Sequence, residues 1–596
     1  FVYKGQGSKL KELRLFTDRD IKNVFTSLLT SATPLDATQK DTLEQLLREY
    51  HLPDDVTITM KETAMLVIKF LAEQGKADEA SVLLKTPADV LRYLWYDALP
   101  ILMAHAGKMY RHMWGPLDRS EDAAQEMKKK LMLKYDRKAC LRAAKWLNAT
   151  QLSAEQAAEN MNPKRGMWIR MIRALRLAEY SHKNGMEHLA EILDVFYRQD
   201  YSTWQGRVDK ARLENDADKT ISLLKERPGL FARCLFASML RFGSDKVLTV
   251  FNEIADRLPA RLLLSLGNAA ESYFDPKETR LARPITGVTH KIEANKLLAL
   301  YNDDTRKTMV ADMMNIYKSS MIRRFSAQKT DTKTVYIDHA LYNIPVSVGD
   351  RATTIQDTSC ALMGTRFPIE GDTVRLFMQW GKGLPAQHLD MDLSCSISLP
   401  NDEVAECVYY NLTCTGAKHS GDIRSIPDMV GTAEYVELSL PELEEAQAKY
   451  VTFTCNAYSC GSLSPNLVVG WMNSAYPMTV SEEKGVAYDP SCVQHMVRIS
   501  EGNLTKGLVF GVLDVARREI IWLEMPFTAQ TLRGANSASV EALLHKLEAK
   551  LSVGELIEMK AKAQNLAIVA SAEEADEAYT YEWALNPADV TKLLYM

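Results

Sequence analysis

Asp390 and Asp392 stand two apart in the run Leu389-Asp390-Met391-Asp392-Leu393-Ser394, and a Gly-Asp turn follows downstream in Lys418-His419-Ser420-Gly421-Asp422-Ile423-Arg424-Ser425. In an extended segment alternate side chains share a face, so the two aspartates project together while Leu389, Met391 and Leu393 project to the other side. Two adjacent anions need a counter-charge. With Asp422 they offer three carboxylates to one hard cation. Ca²⁺ suits such a set, because it takes roughly six to eight oxygen ligands in irregular geometry and accepts backbone carbonyls where carboxylates run out. Gly421 lets the loop turn sharply. The same spacing also describes two solvated aspartates at a strand end beside an ordinary turn.

Four ordered blocks surround these residues: Val374-Arg375-Leu376-Phe377-Met378-Gln379-Trp380; His388-Leu389-Asp390-Met391-Asp392-Leu393-Ser394; His419-Ser420-Gly421-Asp422; and Ala433-Glu434-Tyr435-Val436-Glu437-Leu438. Together they resemble the TerD domain of tellurium-resistance and chemical-stress systems. Lys449-Tyr450-Val451-Thr452-Phe453, Val469-Gly470-Trp471-Met472 and Arg517-Arg518-Glu519-Ile520-Ile521-Trp522-Leu523 resemble the later strands of its long-chain branch, so the likeness spans about Val335 to Phe527. It implies a β-sandwich that binds Ca²⁺ and acts in stress response without a catalytic cycle. The family's aspartate-rich strand falls on Asp390 and Asp392, and its Gly-Asp turn on Gly421 and Asp422. Where typical members have Asn after that Asp, this chain has Ile423, and their Gly-Asp-Asp-Glu run reads here as Gly431-Thr432-Ala433-Glu434. Two carboxylates and an amide are thus missing. Asp390, Asp392 and Asp422, with Glu434 as a further donor, are the metal ligands this resemblance implies, at one weakened site or with one of the family's sites lost. Weaker likenesses at Asn162-Pro163 through Trp168, at Lys225 to Arg233 and at Val335-Tyr336-Ile337-Asp338 extend the same architecture across the whole chain.

The elements that must position these residues change texture along the chain. From Thr17 to Arg324 apolar residues recur at helical spacing, as in Trp168, Met171, Ile172, Leu175 and in Val247, Val250, Phe251, Ile254, Leu258. Thr33-Pro34, Leu52-Pro53, Asn162-Pro163, Arg227-Pro228-Gly229 and Leu258-Pro259 punctuate consecutive helices. Thr38, Ser153 with Gln156, and Ser244 are candidate N-caps. No fixed-period repeat is evident, so an irregular helical array is expected. From Val335 the pattern becomes short Val-, Ile-, Thr-, Tyr- and Phe-rich runs, beginning with Val335 to Val348 and including Ala405 to Asn411, which suit two packed antiparallel sheets. Ser537 to Leu551 then reads as a helix with Val540, Leu543, Leu544, Leu547 and Leu551 on one face. The expected architecture is multidomain α + β: a helical scaffold at residues 1–328, a TerD-like antiparallel β-sandwich at 329–530, and a small helical or α/β appendage at 531–596.

A chain of 596 residues exceeds what one core supports, which calls for two or three such units. With 72 basic against 77 acidic residues, no strongly basic domain stands out as a nucleic-acid binder. The basic run Lys128-Lys129-Lys130 and the arginines 165, 170, 173 and 176, of which the last three share a helical face, keep an adaptor for nucleic acid or for defence as an alternative. Nine cysteines contain no Cys-x-x-Cys pair; Cys455 with Cys460, or Cys407 with Cys414, would sit on adjacent strands, yet reduced buried thiols of a cytoplasmic protein are the simpler reading. The numbering opens at Phe1, as though an N-terminal piece were missing, and no apolar run reaches the roughly 18 residues of a membrane span. The Asn-x-Thr triplets at Asn148, Asn411 and Asn503 then read as chance occurrences. No phosphate loop, dinucleotide fingerprint, nucleophile elbow or His-Glu-x-x-His occurs. His388 and His419 stand nearest the acidic residues, as hydrogen-bond donors to them or as general bases of a metal-dependent enzyme acting on a phosphorylated or nucleotide substrate. The leading expectation is a non-enzymatic, calcium-binding cytoplasmic scaffold with protein partners.

Overall fold

A computed structural model describes residues 15–31, 35, 37–53, 56–58, 60–94, 135–199, 201–282, 290–346, 363–384, 389–424, 426–458, 463, 467–481, 483–499, 506–527, 536–548, 550–585 and 587–594. Thr33-Pro34, Lys128-Lys129-Lys130, Cys360, His388, Cys460 and Asn503 lie outside them.

Helices run from Asp18–Thr30 to the 25-residue Asp303–Ala327, and the local signals that start and stop them are those of the sequence. The Ser153 hydroxyl accepts from the Gln156 amide while the Gln156 side chain reaches back to the Ser153 N–H, a capping box worth about 1 kcal/mol. Pro228 opens Pro228–Phe242 from the first turn, where its missing N–H is harmless. Two expected caps fall inside their helices instead: Ser244 is the first helical residue after Gly243, and Thr38 is the second residue of Ala37–Glu49. The helices pack around two apolar centres, one from Phe25 to Phe196 and another from Trp204 to Phe325. Trp204 stands at the junction, its amide donating to Glu159 (2.9 Å) and its indole to the Leu223 carbonyl (2.9 Å).

Two six-stranded antiparallel sheets follow. The first runs in the order Val493–Arg498, Val468–Asn473, Thr373–Trp380, Thr432–Ser439, Ala417–His419, Thr413–Cys414. The second runs Arg366–Pro368, Glu519–Phe527, Gly507–Asp514, Tyr450–Ala457, Met391–Ser398, Val404–Cys407. They share one core, in which Trp380, Trp471 and Trp522 are fully buried with Leu393, Ile397, Val436 and Phe453. Alternation makes this possible: Met391, Leu393, Cys395 and Ile397 enter that core while Asp392 and Ser394 take the opposite face.

Of the run Val335 to Val348, read from the sequence as the sandwich's opening strand, the described residues 335–346 join neither large sheet. Thr334–Ile337 lies parallel between Ala567–Val569 and Glu577–Tyr579, and Val335 and Ile337 pack with Leu556 and Ile557 in the centre that also holds Phe325. The C-terminal segment thus completes the second helical core. In Ala405 to Asn411 the strand stops at Cys407, where Val408 and Asn411 bridge across a turn. The helix Ser537–Glu548 ends before Leu551. The hairpin Met478–Ser481/Gly485–Tyr488 has no counterpart in the strands read from sequence. No helix among the described residues is long and apolar enough to cross a membrane.

Candidate metal centre

Asp392 is the second residue of Met391–Ser398 and faces Asn456 of Tyr450–Ala457 across the register, accepting a hydrogen bond from the Asn456 amide at 3.1 Å. Asp390 precedes the strand and is fixed at its backbone, where its carbonyl accepts from the Tyr458 amide at 2.9 Å. Asp422 arrives from the other sheet, on the loop that leaves Ala417–His419. Gly421 makes that approach possible with a φ of 114°, a conformation in which a Cβ would be strained. One carboxylate oxygen from each of Asp390, Asp392 and Asp422 lies within 4.8 Å of the others. A Ca²⁺ ion with Ca–O distances of about 2.4 Å separates opposite ligands by about 4.8 Å, so any two of these oxygens are near enough for one ion to lie between them.

Burial and neighbouring negative charge act on Asp390 and Asp392. Asp392 is 3% exposed, and burial, with Asp390 beside it, pushes its carboxyl up to about 6. Raising an aspartate from 3.8 to about 6 corresponds to roughly 3 kcal/mol in favour of the protonated form. Asp390 is raised as well, first by burial and then by Asp422. A dication held by these oxygens would reverse both effects. Arg424 pairs with Asp422, its Nη2 and Nε lying 2.6 and 2.7 Å from Asp422 Oδ2; its side chain is 77% exposed, so it caps the cluster from the solvent side rather than filling it.

Glu434 is placed differently from the expectation. It belongs to Thr432–Ser439 and shares the inward face with Val436 and Leu438, fully buried between the sheets. One oxygen accepts from the Leu393 amide of the opposite sheet (2.9 Å), the other from the Ile423 amide of the loop (3.1 Å). It is outside the three-carboxylate group, and burial raises its carboxyl well above the usual range. Both of its oxygens serve to pin the Asp422 loop onto the Asp392 strand. The signal for this was present in the period-two pattern, which puts residues 434, 436 and 438 on one face.

His419 is also committed to structure. Its Nδ1 accepts from the Gly421 amide (3.0 Å), which leaves Nε2 to donate to the Leu393 carbonyl (3.0 Å), and burial depresses its protonation. It therefore donates to a carbonyl and to none of the aspartates. Among the other residues singled out by sequence, Arg170 and Arg173 are exposed on Arg165–Ala174, but that helix ends before Arg176, which turns left-handed (φ 51°) and leaves their face. Arg165 lies over the Phe196 ring and donates to the Phe196 carbonyl. Cys407 and Cys414 sit at the edges of different sheets, and both are free thiols. Contact with Cys395 is the first cause that pushes the Cys407 thiol up to about 12, which makes it a poor nucleophile. Asn456 and Arg424 are the neighbours of the cluster that sequence reasoning missed. Compared with known protein families, curated proteins and solved structures, the chain finds no match in any of the three.

Proposed function

We propose that this chain is a non-enzymatic, Ca²⁺-binding scaffold of the cytoplasmic stress response, of the kind to which its TerD-like blocks point. The observation that carries the reading is the convergence of Asp390, Asp392 and Asp422, from two sheets, on one spot. Ca²⁺ would be held by one oxygen from each, with remaining positions taken by water, which makes a weak site rather than a caged one. Binding would tie the Gly421–Asp422 loop to the Asp392 strand. Because the unfolded chain offers no such site, the ion would stabilise the fold by mass action. The helical half would then serve as the surface for protein partners.

Calorimetric titration of Ca²⁺ into the wild type and into Asp390→Ala/Asp422→Ala tests this. The wild type should give saturable heat that the double variant loses. Equal heats from the two proteins remove the metal from the account.

A further inference from the structure

A second candidate site lies away from the aspartates, where the helix Ser537–Glu548 meets the sandwich edge and the segment 342–345. The lining of a cavity of about 280 Å³ there includes the apolar Ile521, Leu544 and Leu547, the cations Arg366, Arg517 and Lys550, and Glu548, which Arg366 engages. The three cations are not equivalent. Arg366 is nearly buried and saturated by acids, with Glu548 at 2.8 Å, Glu519 at 3.4 Å and Asp514 at 3.9 Å. Arg517 is more than half exposed and pairs, among the described residues, with Asp514 at 3.8 Å. Lys550 is half-buried and has no ion-pair partner among the described residues. Burial alone acts on its ammonium, pushing it below the ordinary lysine range. An ammonium taken out of water without a counter-ion is unfavourable for the empty protein, and an anion arriving in the cavity relieves it. The apolar residues of the same lining say what else that anion carries.

We propose that this cavity binds a small organic oxyanion, a carboxylate or a phosphate monoester on a short apolar chain, with its charged oxygens on Lys550 and Arg517 and its chain against Leu544, Leu547 and Ile521. Lys550 supplies a point charge, and Arg517 supplies a planar fork that moves in from solvent. The site is independent of the aspartate cluster. Its occupant would bridge the C-terminal helix and the sandwich.

The test uses the full chain at neutral pH, with calorimetry and thermal unfolding against millimolar butyrate, butyl phosphate and inorganic phosphate. Either organic anion should bind and raise the melting temperature. Lys550→Met should weaken that binding about tenfold or more, the loss of one charge-assisted hydrogen bond, while melting no lower than wild type when empty. Lys550→Arg should retain most of the affinity. Tighter butyl phosphate than butyrate assigns a phosphate ester, and the reverse order assigns a carboxylate. Unchanged affinity in Lys550→Met, silence with all three anions, or inorganic phosphate binding as tightly as butyl phosphate overturns the proposal. Ca²⁺ titration of Lys550→Met should match wild type, which separates this outcome from that of the aspartate site.

Discussion

At the C-terminal sheet, Lys560 is 5% exposed and donates to Glu577 and, at 2.8 Å, to the Tyr579 hydroxyl; that hydroxyl donates in turn to Glu577 at 2.9 Å, and Thr332 completes the carboxylate at 3.1 Å. At the sandwich rim, Asp390, Asp392 and Asp422 crowd together with one exposed arginine at their edge. Burial opposes ionisation in both places. At Glu577 the hydrogen bonds from Lys560 and Tyr579 overcome it, so the carboxyl ends below its usual range; at Asp392 burial and the neighbouring Asp390 outweigh the Asn456 hydrogen bond and the charge of Lys506, and the carboxyl ends above. A buried acid whose partners are all supplied by the chain has a structural task. Buried acids that lack a counter-charge are poised for one from outside.

Removing Lys560 gives the largest expected effect. Lys560→Met leaves Glu577 charged and partly buried without its cation, and chemical denaturation should show a loss of roughly 3 kcal/mol. Lys560→Met/Glu577→Gln should recover most of it, since an uncharged pair strands no charge. Asp392→Asn, measured in a Ca²⁺ chelator, should be neutral or stabilising, because it removes an anion the empty fold tolerates poorly. If Lys560→Met proves as mild as Asp392→Asn, the contrast between the two regions disappears.

The pH dependence of stability separates the regions next, because their signs are opposite. Glu577 binds its proton less tightly folded than unfolded. Its contribution is therefore present above the unfolded value of about 4.3 and lost as pH falls through the depressed folded one. Asp392 binds its proton more tightly folded, so native stability is favoured below the unfolded value of about 3.9 and is lost as pH rises through about 6. In chelator, the difference in unfolding free energy between wild type and Asp392→Asn should change between pH 4 and 7 by up to roughly 3 kcal/mol, wild type losing ground as pH rises. Saturating Ca²⁺ should flatten that difference. A difference that stays constant across the window, with or without Ca²⁺, denies the unbalanced charge.

How much of this was legible in the sequence follows from the range over which each feature is decided. That Asp390 and Asp392 flank one face, and that Gly421 turns the loop into Asp422, depends on two or three neighbouring residues, and both could be read directly. Glu434 was misassigned as a ligand because a carboxylate in a strand says nothing of which sheet's amides it will meet. Its partners, Leu393 and Ile423, are 41 and 11 residues away. Val335 and Ile337 were read correctly as strand residues and wrongly as sandwich residues for the same reason: alternation marks a strand, but the partners at Ala567–Val569 and Glu577–Tyr579 lie more than 200 residues on. Arg176 failed at short range, since nothing in Arg173-Ala174-Leu175-Arg176 announces the left-handed residue that ends the helix.

The smallest expected effect lies at Arg424, and it sharpens the account of the rim. Its guanidinium holds Asp422 Oδ2 from the solvent side, so a Ca²⁺ ion that recruits this oxygen competes with it. The pair is largely exposed on the arginine side, and exposed ion pairs contribute little. Arg424→Ala should therefore tighten Ca²⁺ binding by no more than about fivefold, with the gain shrinking as salt rises and screens the pair. Calorimetry of this variant at two ionic strengths reads both quantities. Weaker Ca²⁺ binding in Arg424→Ala would mean that the arginine organises the loop for the ion rather than standing in for it, and the rim would then share the self-sufficiency of the Lys560 cluster.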